Sequence, residues 1–129
     1  MASIYSVELN GDLIGHTQLE NADPPMGVVR GKVEFSITED IYSLFKRYCI
    51  EQQVAVNQDD EEFGFIDTQN IPVLKVYGDG DIEVTGESGA SICGFSDDGF
   101  EITIVGVPYP FYGEEFPHHI EAYDSQFSR

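Results

Sequence analysis

"TEDIYSLFKRYCIEQQ", residues 38–53, is the stretch on which the fold turns. Up to this point the apolar residues alternate with polar ones. Past Thr38 the spacing changes, and Ile41, Leu44, Phe45 and Tyr48 fall at i, i+3, i+4 and i+7, one stripe of a helix with a period of 3.6 residues. Ser36 followed by Glu39 has the spacing of a capping box, and Thr38 is the alternative cap. Lys46 and Arg47 come late in the segment, where positive charge complements the carbonyl end of the helix dipole. The pattern predicts one amphipathic α-helix over about 38–53.

On either side the period is two. Tyr5, Val7 and Leu9 alternate with Ser6 and Glu8, and Asn10-Gly11-Asp12 reads as a three-residue turn into Leu13, Gly15, Thr17 and Leu19. Val33 and Phe35 suggest a short strand before the helix. Downstream, Leu74 and Val76 are set against Ile82 and Val84 across Gly78-Asp79-Gly80, and Cys93 and Phe95 against Ile102 and Ile104 across Asp98-Gly99. Asn57–Glu62, NQDDEE, reads as a solvated loop. The expected fold is α+β: a mainly antiparallel sheet of hairpins, about five to seven strands, with the one helix packed on it. At 41% hydrophobic and 12% aromatic residues, the 129-residue chain has the material for one globular domain, 1–129, with a core that needs no disulfide or metal.

Charge narrows the functional classes. There are 24 acidic against 6 basic side chains, a formal net charge of −18, and between 57 and 101 twelve Asp/Glu face only Lys75. A phosphate backbone or an anionic membrane surface is repelled by such a chain, so neither nucleic acid nor membrane is an expected partner. Steering of a basic protein is the alternative to a simple role in solubility. No run of about 18 apolar residues occurs, and the N-terminus lacks a signal-like pattern, so a cytoplasmic location is expected. Cys49 and Cys93 have no CxxC context and are expected to be reduced, buried thiols.

Residues 15–31, GHTQLENADPPMGVVRG, differ from their surroundings. Pro24 and Pro25 fix two φ angles after Asp23, and Gly27 supplies a positive φ. One reading is a rigid corner with Met26 tucked into the core. The other is a preorganised contact surface formed by Asp23, Pro24, Pro25 and Met26. The run Gly15-His16-Thr17, Leu19-Glu20, Asp23 to Val28 and Gly31 resembles the N-terminal signature of a family of small, uncharacterised bacterial proteins. Phe116-Pro117-His118-His119 with Glu121-Ala122-Tyr123 is similar to the C-terminus of that family. The resemblance implies a bacterial, cytoplasmic protein of one compact domain, and it carries over no catalytic residue.

Other chemistry is sparse. Asp79, Asp81 and Glu83 alternate as in a calcium loop, but Val84 and Ala90 occupy positions that need glycine and the bidentate acid. His118 and His119 on an extended segment would point to opposite sides, so no metal site is expected. There is no nucleophile elbow and no phosphate-binding glycine pattern, hence no catalytic residue and no cofactor. The aromatic tail, with Phe111, Tyr112 and Phe116, is either a strap that buries its rings or an interface. The leading expectation is an interaction module such as an immunity-type inhibitor of a basic toxin. Its contacts would come from the Asp23–Met26 corner, from Asp59, Asp60, Glu61 and Glu62, and from the tail aromatics. The alternative is a small-ligand binder or enzyme with a site near His16, Asp23, Arg30, His118 and His119.

Overall fold

A computed structural model describes residues 3–127 and is an α+β structure dominated by an antiparallel sheet. β1 (Tyr5–Leu9) and β2 (Asp12–Thr17) form the first hairpin, with Leu9 facing Asp12, so the loop is the pair Asn10 and Gly11 and not three residues. Both have positive φ, 53° and 86°, the conformations a tight hairpin turn requires. Val7 pairs with Gly15 and Glu8 with Leu13, which leaves Ile14 as the extra residue of a bulge. The bulge turns Ile14 into the core and puts Leu13, expected there, on the surface.

β3 (Asn21–Asp23) leads through a 3₁₀ turn at Pro24–Met26 into β4 (Val28–Phe35), an eight-residue strand where the sequence suggested only a short one. Along one edge β4 pairs with β2 through Val33–Phe35 and with β3 through Val28–Arg30. Its other edge pairs with β9 (Gly99–Val105). Val29 and Val33 point into the core, while Arg30, Lys32 and Glu34 point out.

The helix is present as α1 (Ile41–Gln52). Its cap is Asp40, whose carboxylate accepts from Ser43 N–H at 3.1 Å, in place of Ser36 or Thr38. Tyr42, Leu44, Phe45 and Cys49 are buried. Phe45 meets Phe35 edge-on at 6.5 Å, and Phe35 meets Phe100 at 6.2 Å, which seats the helix on the sheet.

Residues 57–62 are not a free loop. Asn57 to Asp60 lie in β5 (Val56–Asp60), paired with β6 (Phe65–Thr68), and Glu61 and Glu62 form the turn between them. β7 (Leu74–Tyr77) takes β1 as its ladder partner, and the expected hairpin to Ile82 and Val84 shrinks to one bridge, Tyr77 to Glu83. Val84 N–H donates to Val76 O (2.9 Å), and Ile82 is exposed.

β8 (Gly89–Phe95) and β9 pair with Ile92 opposite Ile102 and Ala90 opposite Ile104. Cys93 therefore faces Glu101 and Phe95 faces Gly99 on the outward face, against the expected pairing with Ile102 and Ile104. The strand order is β5-β6-β8-β9-β4-β2-β1-β7, with β3 beside β4, nine strands among the described residues in place of five to seven. The tail adds two further helices, α2 (Phe111–Glu115) and α3 (Pro117–Ser125). Among the described residues no helix is long and apolar enough to cross a membrane.

Candidate functional site

The Pro-rich stretch is a corner, and the C-terminal strap is built on it. Gly27, at φ 66°, accepts from Gly106 N–H (3.1 Å) and Val107 N–H (2.9 Å) through its carbonyl, and a Cβ there would meet Val107 O at 2.9 Å. Tyr109 donates its hydroxyl to Pro24 O (3.0 Å), and Tyr112 donates to Val28 O (2.9 Å). Tyr109 and Phe127 stay exposed, but Tyr112 and Phe116 are fully buried and Phe111 is half-buried against the core, so these three are not the exposed anchors of an interface. Their apolar area is withdrawn from water by packing on Tyr5 and on each other. Pro24 is buried too, whereas Met26 is 65% exposed and lies outside the core the corner reading placed it in. Asp23 and Pro25 remain at the surface.

His118 and His119 lie on α3 and not on an extended segment, with ring centroids 4.2 Å apart. His119 is buried against Phe116 (5.7 Å), and its Nε2–H donates to Leu19 O at 2.7 Å. His118 itself is exposed, and partial desolvation on the strap together with the neighbouring imidazole holds its pKa below its ordinary value. Tyr5 donates its hydroxyl to Glu115 Oε2 at 2.7 Å, and burial with this carboxylate pushes the phenol well above its usual range. His119 and Tyr5 have their partners inside the fold, and these two bonds peg the strap down.

The acidic quartet divides in two. Asp59 accepts a hydrogen bond from the buried Tyr42 and lies 3.4 Å from Lys46 Nζ, which itself donates to the Tyr42 hydroxyl at 3.2 Å. Asp60 organises the turn by accepting from Glu62 N–H (3.1 Å) and Phe63 N–H (3.4 Å). Glu61 and Glu62 project into solvent. Beside them stand aromatics that the sequence reading did not single out. Phe63 is 61% exposed and Phe95 42%, and the Phe65 and Phe95 rings lie 4.6 Å apart across neighbouring strands. Ser96 N–H donates to Gly64 O (3.0 Å), which docks this turn on the one that carries Asp97 and Asp98. Among the described residues, Asp60, Glu61, Glu62, Asp97 and Asp98 enter no ion pair. The signal available in the sequence was Phe63 directly after four acids, an apolar residue where a solvated loop needs none.

A cleft of about 650 Å³ opens elsewhere, lined by Ile4, His16, Gln18, Glu20, Lys32, Glu34 and Asp98. His16 faces Ser6 on one side and Glu34 on the other. Glu20 is held by Lys32 N–H at 2.9 Å. Asp23, Arg30, His118 and His119 do not line this cleft, so the expected constellation around His16 is not assembled. Arg30 lies on the same face of β4 opposite Asn21 and Thr103, and the two tail histidines belong to the strap.

Cys49 is buried, while Cys93 is half-buried on the outward face, against the expectation that both are buried. Among the described residues no group of three or more His, Cys, Asp or Glu is placed to hold a metal ion. The chain matches no family model, and neither the curated proteins nor the solved structures contain a significant match.

Proposed function

We propose that the protein is an interaction module that captures a basic protein partner, as an immunity-type inhibitor covers the cationic active site of a toxin or enzyme. A bacterial cytoplasmic setting belongs to the same proposal and rests on the resemblance of the corner and tail segments. The single observation that carries the reading is the acidic aromatic corner: exposed Phe63 and Phe95 on the two docked turns that carry Asp60, Glu61, Glu62, Asp97 and Asp98, which enter no ion pair among the described residues. Aromatic rings supply contact area at low entropic cost, and the surrounding charge steers a cationic surface toward them.

The test is capture from the native host at low salt, followed by binding kinetics at two ionic strengths. Screening shortens the Debye length from about 30 Å at 0.01 M to about 10 Å at 0.1 M, so association slows steeply. Glu61→Gln with Glu62→Gln slows association and leaves dissociation nearly unchanged. Phe63→Ala raises the dissociation rate by an amount worth about 2 kcal/mol. Association that ignores salt, or a partner with no basic surface, overturns the reading.

A second reading places a small polar ligand in the His16 cleft. It is favoured by one observation: among the described residues, Lys32, which lines the cleft, enters no ion pair, although the protein carries 24 acids. A rise in melting temperature with small carboxylic acids, abolished by Lys32→Glu, checks it.

A further inference from the structure

We propose that the partner engages β5 by strand addition: an extended segment bearing lysine or arginine pairs with the free edge of β5 and lays its cationic side chains among Asp60, Glu61 and Glu62. This rests on the basic-partner reading and names the mode of recognition.

The strand order has two ends, and they are treated differently. At the β7 end the edge is covered, because Val84 N–H donates to Val76 O, Tyr77 bridges to Glu83, and Lys75 pairs with Glu83 at 3.5 Å. β3, the short strand outside the main order, has α3 packed against it. At the β5 end the only ladder among the described residues is the one to β6, and Asn57, Gln58 and Asp59 are exposed. α1 packs against β6 and reaches β5 through the Tyr42 and Lys46 contacts to Asp59.

An unpaired edge is a template for any extended chain, and charge decides which chain is accepted. A second copy brings the same carboxylates to the edge, on a molecule of net charge −18, and is repelled. A basic strand finds main-chain donors and acceptors along β5 and opposite charge at its turn. In this mode the backbone supplies affinity and the flanking side chains supply specificity.

The experiment uses the whole protein and a short fluorescent peptide that alternates lysine and valine. Companion peptides carry glutamate for lysine, or two adjacent N-methylated residues at the centre, which removes donors from both peptide edges. The lysine peptide is expected to bind at low salt and to slow exchange of the β5 amides. N-methylation should weaken it about tenfold or more, and the glutamate peptide should not bind. Equal binding of the methylated and unmethylated peptides, with β5 amides unprotected, overturns strand addition while leaving the basic-partner reading in place. Absence of binding by either cationic peptide overturns strand addition as well, and capture of the partner from the host then decides the broader reading by itself.

Discussion

His119 Nε2–H donates to the carbonyl oxygen of Leu19 at 2.7 Å, joining helix α3 to a residue 100 positions earlier in the chain. Leu19 is fully buried with φ 47°, an uncommon conformation for leucine, and its N–H donates to Thr17 Oγ1 at 3.2 Å. Both of its backbone groups are therefore satisfied by side chains. The imidazole must carry its proton on Nε2, because a carbonyl has none to give.

His119→Ala leaves the Leu19 carbonyl buried without a donor and opens a void beside Phe116. The expected loss of stability is about 2–3 kcal/mol, read by urea unfolding. His119→Gln keeps a donor and should lose less. Equal losses would show that the hydrogen bond contributes little beyond the ring's volume.

The His118 pKa is lowered, by partial desolvation first and then by His119. The unfolded chain accordingly binds the His118 proton more readily than the folded one, so acid favours unfolding. The contribution of His118 to folding stability should be unchanged above its ordinary value of 6.5 and fall as the pH drops below it. The check is the difference in melting temperature between the wild type and His118→Gln across this range, since the difference removes the background from the many carboxylates. A difference that does not change with pH contradicts it.

Both thiols should react slowly with a thiol reagent at neutral pH, for different reasons. Burial pushes the Cys49 pKa up, so its labelling should await unfolding. Cys93 is raised by burial and further by the carboxylates of Asp67 and Glu101, its neighbours across the strands. Asp67→Asn and Glu101→Gln should therefore each speed labelling of native Cys93 and leave Cys49 unaffected. Labelling rates measured on the folded variants settle this.

The acidic quartet should separate under mutation. Asp59→Asn weakens the bond from Tyr42 and the pairing with Lys46, with an expected loss of about 1–2 kcal/mol in urea unfolding. Glu61→Gln with Glu62→Gln should change stability by less than about 0.5 kcal/mol, because both side chains are solvated and unpaired. A large loss from the Glu61 and Glu62 pair would mean that the corner is structural and would weaken its assignment as a contact surface.

Local pattern alone determined the elements whose two sides differ strongly. The Ile41, Leu44, Phe45 and Tyr48 stripe marked α1, because a helix that packs on one face must repeat its apolar residues near every 3.6 positions. Asn10-Gly11-Asp12 marked the first hairpin as a turn, but only the register of Leu9 against Asp12 showed that the loop is the pair Asn10 and Gly11. Pro24, Pro25 and Gly27 marked the corner by their φ preferences. Where both faces of a strand carry apolar residues, pattern is silent on register. Ala90 and Ile92 point inward while Cys93 and Phe95 point outward, and only the approach of α1 to one side of the sheet decides between them. β5 was illegible for the opposite reason, since an edge strand with exposed side chains needs no hydrophobic alternation and NQDDEE shows none. The rings of Tyr112 and Phe116 fitted a buried strap or an interface by sequence alone. Tyr112 reaches Val28 O, and on either side Tyr109 reaches Pro24 O and His119 reaches Leu19 O, acceptors about 85 to 100 positions earlier in the chain that only the tertiary fold brings to the tail.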